Sequence, residues 1–299
     1  MGVPRGFEKF YPPNVVLLLL KTLYGLKQAS FEYWRALLKA IRAMGLKRSK
    51  ADPCVYFRWS ENGLMIWSSW VDDLLSGGHK NDVDEGREKL KTHFDLDEIG
   101  ELKEYVGCKT VYNKEEGWML LTQPVLIQSF KDEFELPSNT YGTPAAPGTV
   151  LLEGGEPLNQ EEHAQYRTGV GKLIHLSKFT RRDIQNAVRE LTRFTSKPSK
   201  PHKKAMLRVM KYVVDTKEKG LLLYPTKRWD GKDKNFEFVI TGKSDSTFAS
   251  CPMTMRSVSG WACFICDAPY VTKSKMQKFV TLRLGLIECE TRTKFAQNP

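Results

Sequence analysis

Two adjacent carboxylates are the residues of this chain whose types and spacing point most directly to chemistry. Asp72 and Asp73 lie in the stretch S-S-W-V-D-D-L-L-S-G, residues 68–77, between two short apolar runs. Two like charges at the tip of a turn repel each other, and a divalent cation relieves that repulsion. Aspartate is also common in ordinary turns because its side chain bonds the local backbone. The pair is therefore either a solvated turn or part of a metal site.

The elements around the pair predict a hairpin beside a helix. Aromatic and β-branched runs at 54–59 and 64–70 are joined by E-N-G, which is a hairpin signal, so the pair falls where the second run turns back. Apolar residues at helical spacing predict a helix over 31–44, with Gly45 as its stop. The run V-V-L-L-L-L at 15–20 predicts a buried strand.

Further along, the pattern alternates between strands and helices and indicates an α+β fold. A helix is predicted near 83–94, strands near 102–110 and 118–122, and a helix opened by Pro124. A Gly- and Pro-rich stretch at 141–158 predicts a linker. The predicted elements after it are helices at 163–178, 183–195 and 202–216, the last capped by Ser199, and strands at 221–224, 236–241 and 259–265.

Composition limits the class of protein. The 299 residues carry a formal net charge of +11, spread along the chain, which suits a protein that lies along nucleic acid; a basic soluble protein with charged helix faces is the plainer alternative. Six scattered cysteines and no secretory signal are typical of free thiols in a reducing compartment. The longest apolar run, 15–20, is far too short to span a membrane. We expect a soluble, intracellular, cytoplasmic protein with no membrane partner.

Several ordered motifs resemble one family. W-V-D-D resembles the Y-V-D-D box of reverse transcriptases, with Trp70 in place of the usual Tyr. Over nearly its whole length the chain is similar to the Pol polyproteins of copia-type long-terminal-repeat retrotransposons. The stretches that carry this resemblance are R-G-F-E (5–8), K-T-L-Y-G-L-K-Q-A (21–29), G-E-L-K-E-Y-V-G-C (100–108), G-T-P-A-A-P-G (142–148), Y-R-T-G-V-G-K-L-I-H-L (166–176), T-R-R-D-I (180–184) and R-V-M-K-Y-V (208–213).

The resemblance implies roles for individual residues. Asp72 and Asp73 would be ligands of catalytic Mg²⁺, and Trp70 would lie near the primer end. The residues that would lie near the incoming nucleotide or template are Gly25, Lys27 and Gln28. Without the resemblance, Y-G-L-K-Q is a helix start after a buried strand. The implied partners are an RNA or DNA template–primer, deoxynucleoside triphosphates and the rest of the polyprotein, in the cytoplasm, a virus-like particle or the nucleus.

The end of the chain resembles the opening of a ribonuclease H domain. Residues 242–261 carry the similarity, and Asp245 matches the first catalytic aspartate. Thr247 stands where the family has another acid, and an ungapped alignment puts Leu286 on the catalytic glutamate, leaving Glu288. Asp245 is therefore expected to be the remnant of a site. The C-F-I-C stretch at 263–266 has no second ligand pair, so we expect its cysteines to be structural.

A two-metal site also needs a third carboxylate. The acids before the pair are Glu8, Glu32, Asp52 and Glu61, none in a strand that matches the family's upstream aspartate. We therefore predict a partial reverse transcriptase that begins after the first catalytic strand and fingers and is inactive alone. Its predicted parts are a palm (1–140), a linker (141–160), a helical thumb or connection (161–220) and a partial ribonuclease H-like end (221–299). The alternatives are a non-catalytic nucleic-acid-binding remnant and a poorly folding product without a selected role.

Overall fold

The chain is α+β, as the sequence predicts. A computed structural model describes residues 2–23, 25–148, 150–280 and 287–294, the last stretch by its backbone alone. It divides into two compact units, the first made of Met1–Glu98 with Asp230–Asp233 and the second of Ile99–Trp229 with Lys234–Pro299. Within the described residues, no helix is long and apolar enough to cross a bilayer.

The first unit is an antiparallel meander packed against helices. Its strands β1 to β4 pair in chain order, and two helices complete it. The bounds are β1 Lys47–Arg48, β2 Val55–Ser60, β3 Gly63–Trp70, β4 Asp73–Gly77, α1 Ala29–Ala43 and α2 Lys80–Lys91. Alternation along β3 buries Met65 and Trp67 against Leu37 and Ile41 of α1, while Trp70 faces solvent. The predicted hairpin and both predicted helices are confirmed.

The buried strand predicted at 15–20 is wrong. This segment forms a single bridge, from Val16 to Gly2, and no strand within the part of the chain that the structure describes. Val16, Leu18 and Leu20 are 75%, 85% and 91% exposed. An apolar run becomes a buried strand only when a neighbouring strand pairs with it and a layer covers it. Neither is found among the described residues.

Four helices build the core of the second unit. They are α3 Pro124–Glu133, α4 Gln160–Phe179, α5 Gln185–Thr192 and α6 Lys200–Asp215. Phe130, Tyr166, Leu173, Met206 and Val213 are fully buried where these helices meet. Capping boxes start α4 at Asn159 and α6 at Ser199, and Pro124 opens α3, so local signals set these predicted helices correctly.

Two four-stranded antiparallel sheets complete this unit. The first, in the order β5-β6-β7-β8, joins β5 Glu104–Tyr105, β6 Cys108–Asn113, β7 Trp118–Thr122 and β8 Leu221–Leu223. The second, in the order β11-β10-β9-β12, joins β9 Glu237–Thr247, β10 Val258–Ile265, β11 Ala268–Met276 and β12 Ile287–Lys294. The sequence did not predict β11 or β12, because a stretch such as V-T-K-S-K lacks the apolar alternation that marks a strand.

The Gly- and Pro-rich stretch is irregular, as its composition predicts, but it is packed. Leu151 and Leu158 lie against the helical core of the second unit. Lys200 N donates to Glu156 O at 2.9 Å, which ties the stretch to the start of α6. The partition at residues 140, 160 and 220 remains a prediction.

Candidate metal site

The aspartate pair lies at the tip of the β3–β4 hairpin. Trp70 and Asp73 are opposite each other in the ladder, so Val71 and Asp72 form a two-residue loop. Val71 has φ of 56° and is 68% exposed. Two-residue hairpin loops favour positive φ at their first position, but glycine usually supplies it, and a β-branched residue there is strained. The hairpin thus presents both carboxylates to solvent on a strained turn.

The two carboxylates lack the partners that structural aspartates have. Among the described residues, neither the Asp72 nor the Asp73 carboxylate forms a hydrogen bond or an ion pair. Asp82, by contrast, is buried and accepts from Ser60 Oγ at 2.5 Å and Asn62 Nδ2 at 3.3 Å. The Ser60 hydrogen bond is the main reason that the pKa of Asp82 is lowered. The ordinary-turn alternative, in which aspartate bonds its local backbone, has no such bond to support it here.

Tyr33 of α1 lies within electrostatic range of the aspartate pair, which the sequence did not reveal. Its ring is half-buried and packs edge-on against Phe94, with ring centroids 6.0 Å apart. Burial raises the pKa of Tyr33, and the charges of Asp72 and Asp73 raise it further. A tyrosine at the fifth position of an amphipathic helix is ordinarily a packing residue, so only its position beside the hairpin tip reveals this coupling.

The donor set fits the protein ligands of one hard cation. Mg²⁺ takes oxygen ligands and is commonly held by one or two carboxylates with water and substrate phosphates completing its shell. Asp72 and Asp73 can supply those carboxylates. Within the described ranges, no group of three or more His, Cys, Asp or Glu residues could hold a metal. These residues therefore do not complete a site for two ions.

The predicted nucleotide-binding residues lie at the start of α1. Gly25 has φ of 89°, in a turn where Leu26 N donates to Leu23 O at 3.2 Å. Lys27 and Gln28 are exposed, and Gln28 occupies the position before the first residue of α1 without a side-chain capping hydrogen bond. An exposed helix start beside a lysine favours an anion electrostatically. The rise of an α-helix places Tyr33 about 7.5 Å beyond Gln28 along the axis of α1.

Comparison with known proteins places the chain in a family. Residues 1–147 match the family model described as reverse transcriptase (RNA-dependent DNA polymerase). Over 290 residues the chain is 28% identical to a retrovirus-related Pol polyprotein from transposon TNT 1-94 of Nicotiana tabacum, covering 94% of this chain and 21% of that protein. The Pol polyprotein from transposon RE1 of Arabidopsis thaliana is 27% identical over 297 residues, covering 99% of this chain and 19% of its own length.

The chain belongs to the copia-type retrotransposon Pol family. A putative transposon Ty5-1 protein of Saccharomyces cerevisiae is 25% identical over 281 residues, which are 93% of this chain and 87% of that protein. The chain spans about a fifth of the length of the two plant polyproteins. No solved structure matches it.

In this Pol-family chain, Asp245 belongs to the second unit. It lies on β9 opposite Gly260, is exposed, and accepts from Ser246 N at 2.7 Å. The backbone of β12 places Glu288 opposite Lys243, two residues from Asp245, while Leu286 lies outside the described residues. No metal-binding group of acids forms around Asp245 in the described part of the second unit.

The T-R-R-D-I motif of the Pol-family chain is structural. Arg181 is 1% exposed, and its Nε and Nη2 atoms donate to the two carboxylate oxygens of Asp183 at 2.9 and 2.8 Å. Its Nη1 donates to Thr216 O at 3.1 Å, at the end of α6. The motif therefore closes the carboxyl end of a helix, where a cation is favoured.

Proposed function

We propose that this chain is a template–primer-binding segment of a retrotransposon RNA-directed DNA polymerase, in which Asp72 and Asp73 hold a divalent cation. One observation carries the proposal. Two adjacent, exposed carboxylates without hydrogen-bonding partners in the described residues lie at a hairpin tip, inside the 147 residues that match the reverse transcriptase family.

The chain's own residues would bind and orient nucleic acid around that cation. Bound Mg²⁺ would favour ionisation of a primer 3′ hydroxyl and stabilise charge on the leaving pyrophosphate. Trp70 is 55% exposed beside Asp73 in the ladder and could stack on a base at the primer end. Lys27, exposed at the start of α1, could neutralise a phosphate of the template or of a deoxynucleoside triphosphate.

The same geometry argues that the isolated chain does not polymerise. Two neighbouring carboxylates cannot surround two ions, and two-metal chemistry needs a clamp on both the attacking and the leaving oxygens. We propose that a further carboxylate, supplied by a longer polyprotein, completes the site. The second candidate, a non-catalytic nucleic-acid-binding protein, is favoured by the incomplete ligand set. For residues 221–299 we propose a ribonuclease H-like origin, with Asp245 as its remnant.

Primer extension on poly(rA)–oligo(dT) with Mg²⁺ tests the catalytic part. The parent is compared with Asp72→Asn and with Asp95→Asn, a matched control that removes another exposed carboxylate. We expect binding of the template–primer and no extension. Extension by the parent and the control, lost in Asp72→Asn, would show that the ligand set is complete and our account of it wrong.

Cation binding tests the site itself. Mn²⁺ is a paramagnetic substitute for Mg²⁺, and its bound fraction can be counted by electron paramagnetic resonance. We expect one weak Mn²⁺ site in the parent and in Asp95→Asn, and its loss in Asp72→Asn. Equal Mn²⁺ binding by all three chains would leave only the non-catalytic candidate.

A further inference from the structure

We propose that one face of the β9–β11 sheet is a docking surface for single-stranded nucleic acid. We call it the Trp261 face and define it by Trp261 of β10, Lys273 and Lys275 of β11, and Lys278 and Phe279 just after β11. It lies in the second unit, and the inference does not require Asp72 and Asp73 to bind a metal.

Strand register defines this face. Trp261 is opposite Lys273 in the ladder, and Ser259 is opposite Lys275. Successive residues of a strand point to opposite sides of a sheet, so Ser274 points away from this face. On that other side, Arg189 Nε of α5 donates to Ser274 Oγ at 3.1 Å. Helix α5 thus contacts one side of the sheet at β11 and leaves the lysines on the other.

The charge of the face is not neutralised locally. Lys273, Lys275 and Lys278 are exposed and have no ion pair among the described residues. Elsewhere in this unit lysines do have partners, such as Lys203 with Glu162 at 2.9 Å.

The acids of β9 do not supply partners either. Ser244 is the β9 residue opposite Trp261, so Glu237 and Asp245, which are out of phase with it, point to the other side. Strands β9 to β11 therefore bring no carboxylate to the Trp261 face. Unpaired lysines on a face without acids favour a polyanion.

The exposed aromatic rings of this face favour a single-stranded nucleic acid over a duplex. Trp261 is 38% and Phe279 77% exposed, and both line an open pocket of about 380 Å³ together with Lys275 and Lys278. An aromatic ring stacks readily on the free face of an unpaired base, whereas the phosphates of a duplex need lysines alone. Lys273 and Lys275 are about 6.6 Å apart along the strand. They can therefore follow a backbone while the rings hold bases.

Fluorescence anisotropy with labelled 20-residue oligo(dT) and oligo(rU) tests this surface on the full chain. We expect Trp261→Ala to weaken binding about tenfold, the loss of one stacked base. Trp261→Phe should keep most of the affinity. Lys273→Glu with Lys275→Glu should weaken binding and make the slope of log K against log salt shallower by about 1.4, since each single-strand phosphate contact contributes about 0.7.

A matched charge control separates the face from the overall charge of the chain. Lys131→Glu with Lys178→Glu makes the same change in net charge at two exposed lysines of α3 and α4. We expect it to retain nearly all binding. If it weakens binding as much as the Lys273 and Lys275 variant does, or if the parent binds neither oligonucleotide, the proposal is overturned. Circular dichroism melting of each variant checks that the fold persists.

The outcome is independent of the proposed polymerase site. We expect binding of both oligonucleotides to persist when excess EDTA removes divalent cations, because the lysines and rings of the Trp261 face need none. Loss of single-strand binding in EDTA, with Trp261→Ala unaffected, would assign that binding to the hairpin and not to the sheet. Similar Kd values for oligo(dT) and oligo(rU) would show that phosphates and base faces, not the sugar, are recognised.

Discussion

Asp72 and Asp183 each lie near a tyrosine, yet their surroundings differ in kind. Asp183 accepts hydrogen bonds from Arg181 and, at 2.9 Å, from Tyr212 Oη. Burial raises the pKa of Asp183, but the hydrogen bonds and charge of Arg181 outweigh it and leave the pKa lowered. Asp72 has no such donor in the described residues and instead raises the pKa of Tyr33. At the residue scale, a carboxylate that accepts several hydrogen bonds, like that of Asp183, has a structural role. An exposed carboxylate without such donors, like that of Asp72, is a candidate for binding a ligand.

Tyr33 can report on the aspartate pair. We expect Asp72→Asn with Asp73→Asn to lower the pKa of Tyr33, because two charges that disfavour its phenolate are removed. Saturating Mg²⁺ should act in the same direction if the pair binds it. The measurement is an absorbance titration at high pH, with the same titration of Tyr33→Phe subtracted to isolate one tyrosine. An unchanged Tyr33 titration in the double variant would mean that the carboxylates lie too far from the phenol to influence it.

Arg181 should be among the residues most costly to remove from the second unit. Arg181→Met leaves the Asp183 carboxylate with Tyr212 Oη but without its cation, and removes the donor to the Thr216 carbonyl at the end of α6. We expect a loss of about 3–5 kcal/mol in the free energy of unfolding. Urea denaturation followed by circular dichroism measures it. Arg167→Met, at an exposed position of α4, is the control and should change stability by less than about 0.5 kcal/mol. Equal midpoints for the two variants would contradict the structural role.

At the scale of elements, one histidine joins three segments. Ser199 N donates to His202 Nδ1 at 3.0 Å, and His202 Nε2 lies 2.9 Å from Leu152 O. These contacts identify Nε2 as the protonated nitrogen, which donates to Leu152 O, and Nδ1 as the acceptor. The ring also stacks on Phe194, with centroids 4.0 Å apart. A second proton on Nδ1 would face the Ser199 N–H, so the neutral ring suits this capping box.

The stability of this junction should depend on pH. Burial lowers the pKa of His202 and outweighs the Leu152 carbonyl, which raises it. The unfolded chain therefore binds a proton more readily than the folded one, and stability is lost as pH falls below about 6.5, the unfolded value. Urea midpoints between pH 8 and pH 5 measure the loss.

Substitution of this histidine isolates its share of the pH dependence. His202→Gln keeps an acceptor and a donor without the titration, so its midpoint should vary less with pH than that of the parent. His93→Gln, at an exposed position, should keep the parent profile. A parent-like slope in His202→Gln would assign the pH dependence to other groups.

At the scale of the whole molecule, the apolar stretch near the start of the chain stands out. Leu18 and Leu20 are 85% and 91% exposed, in a segment without a pairing strand among the described residues. Exposed apolar runs of this kind promote association. We expect Leu18→Lys with Leu20→Lys to raise the monomer fraction, measured by light scattering after size-exclusion chromatography.

The control substitutes two other exposed apolar residues that are isolated. Ile99→Lys with Val125→Lys makes the same change in charge at side chains that are each 78% exposed. It should leave the monomer fraction closer to that of the parent. If both double variants raise the fraction equally, added charge and not the 15–20 stretch would be the cause.

Local sequence signals were sufficient to predict the family, the helices and the first hairpin. The motifs from W-V-D-D to T-R-R-D-I lie in the parts of the chain that are similar to the family. The cap Ser199 and the first-turn residue Pro124 lie at the starts of α6 and α3. Helix periodicity and turn chemistry depend on residues a few positions apart, so they can be recognised along the chain. For the same reason, the amino-acid sequence alone predicts that Asp72 and Asp73 lie at a hairpin tip.

Which groups have partners depends on tertiary packing. Three features depend on residues that are far apart in the chain. They are the exposure of the 15–20 run, the effect of the aspartates on the pKa of Tyr33, and the side of β11 that contacts α5. Burial and charge are properties of a neighbourhood, and a neighbourhood exists only once distant segments have packed together. For the same reason, only the tertiary structure shows that Arg181 of the T-R-R-D-I motif is buried and donates a hydrogen bond to the carboxyl end of α6.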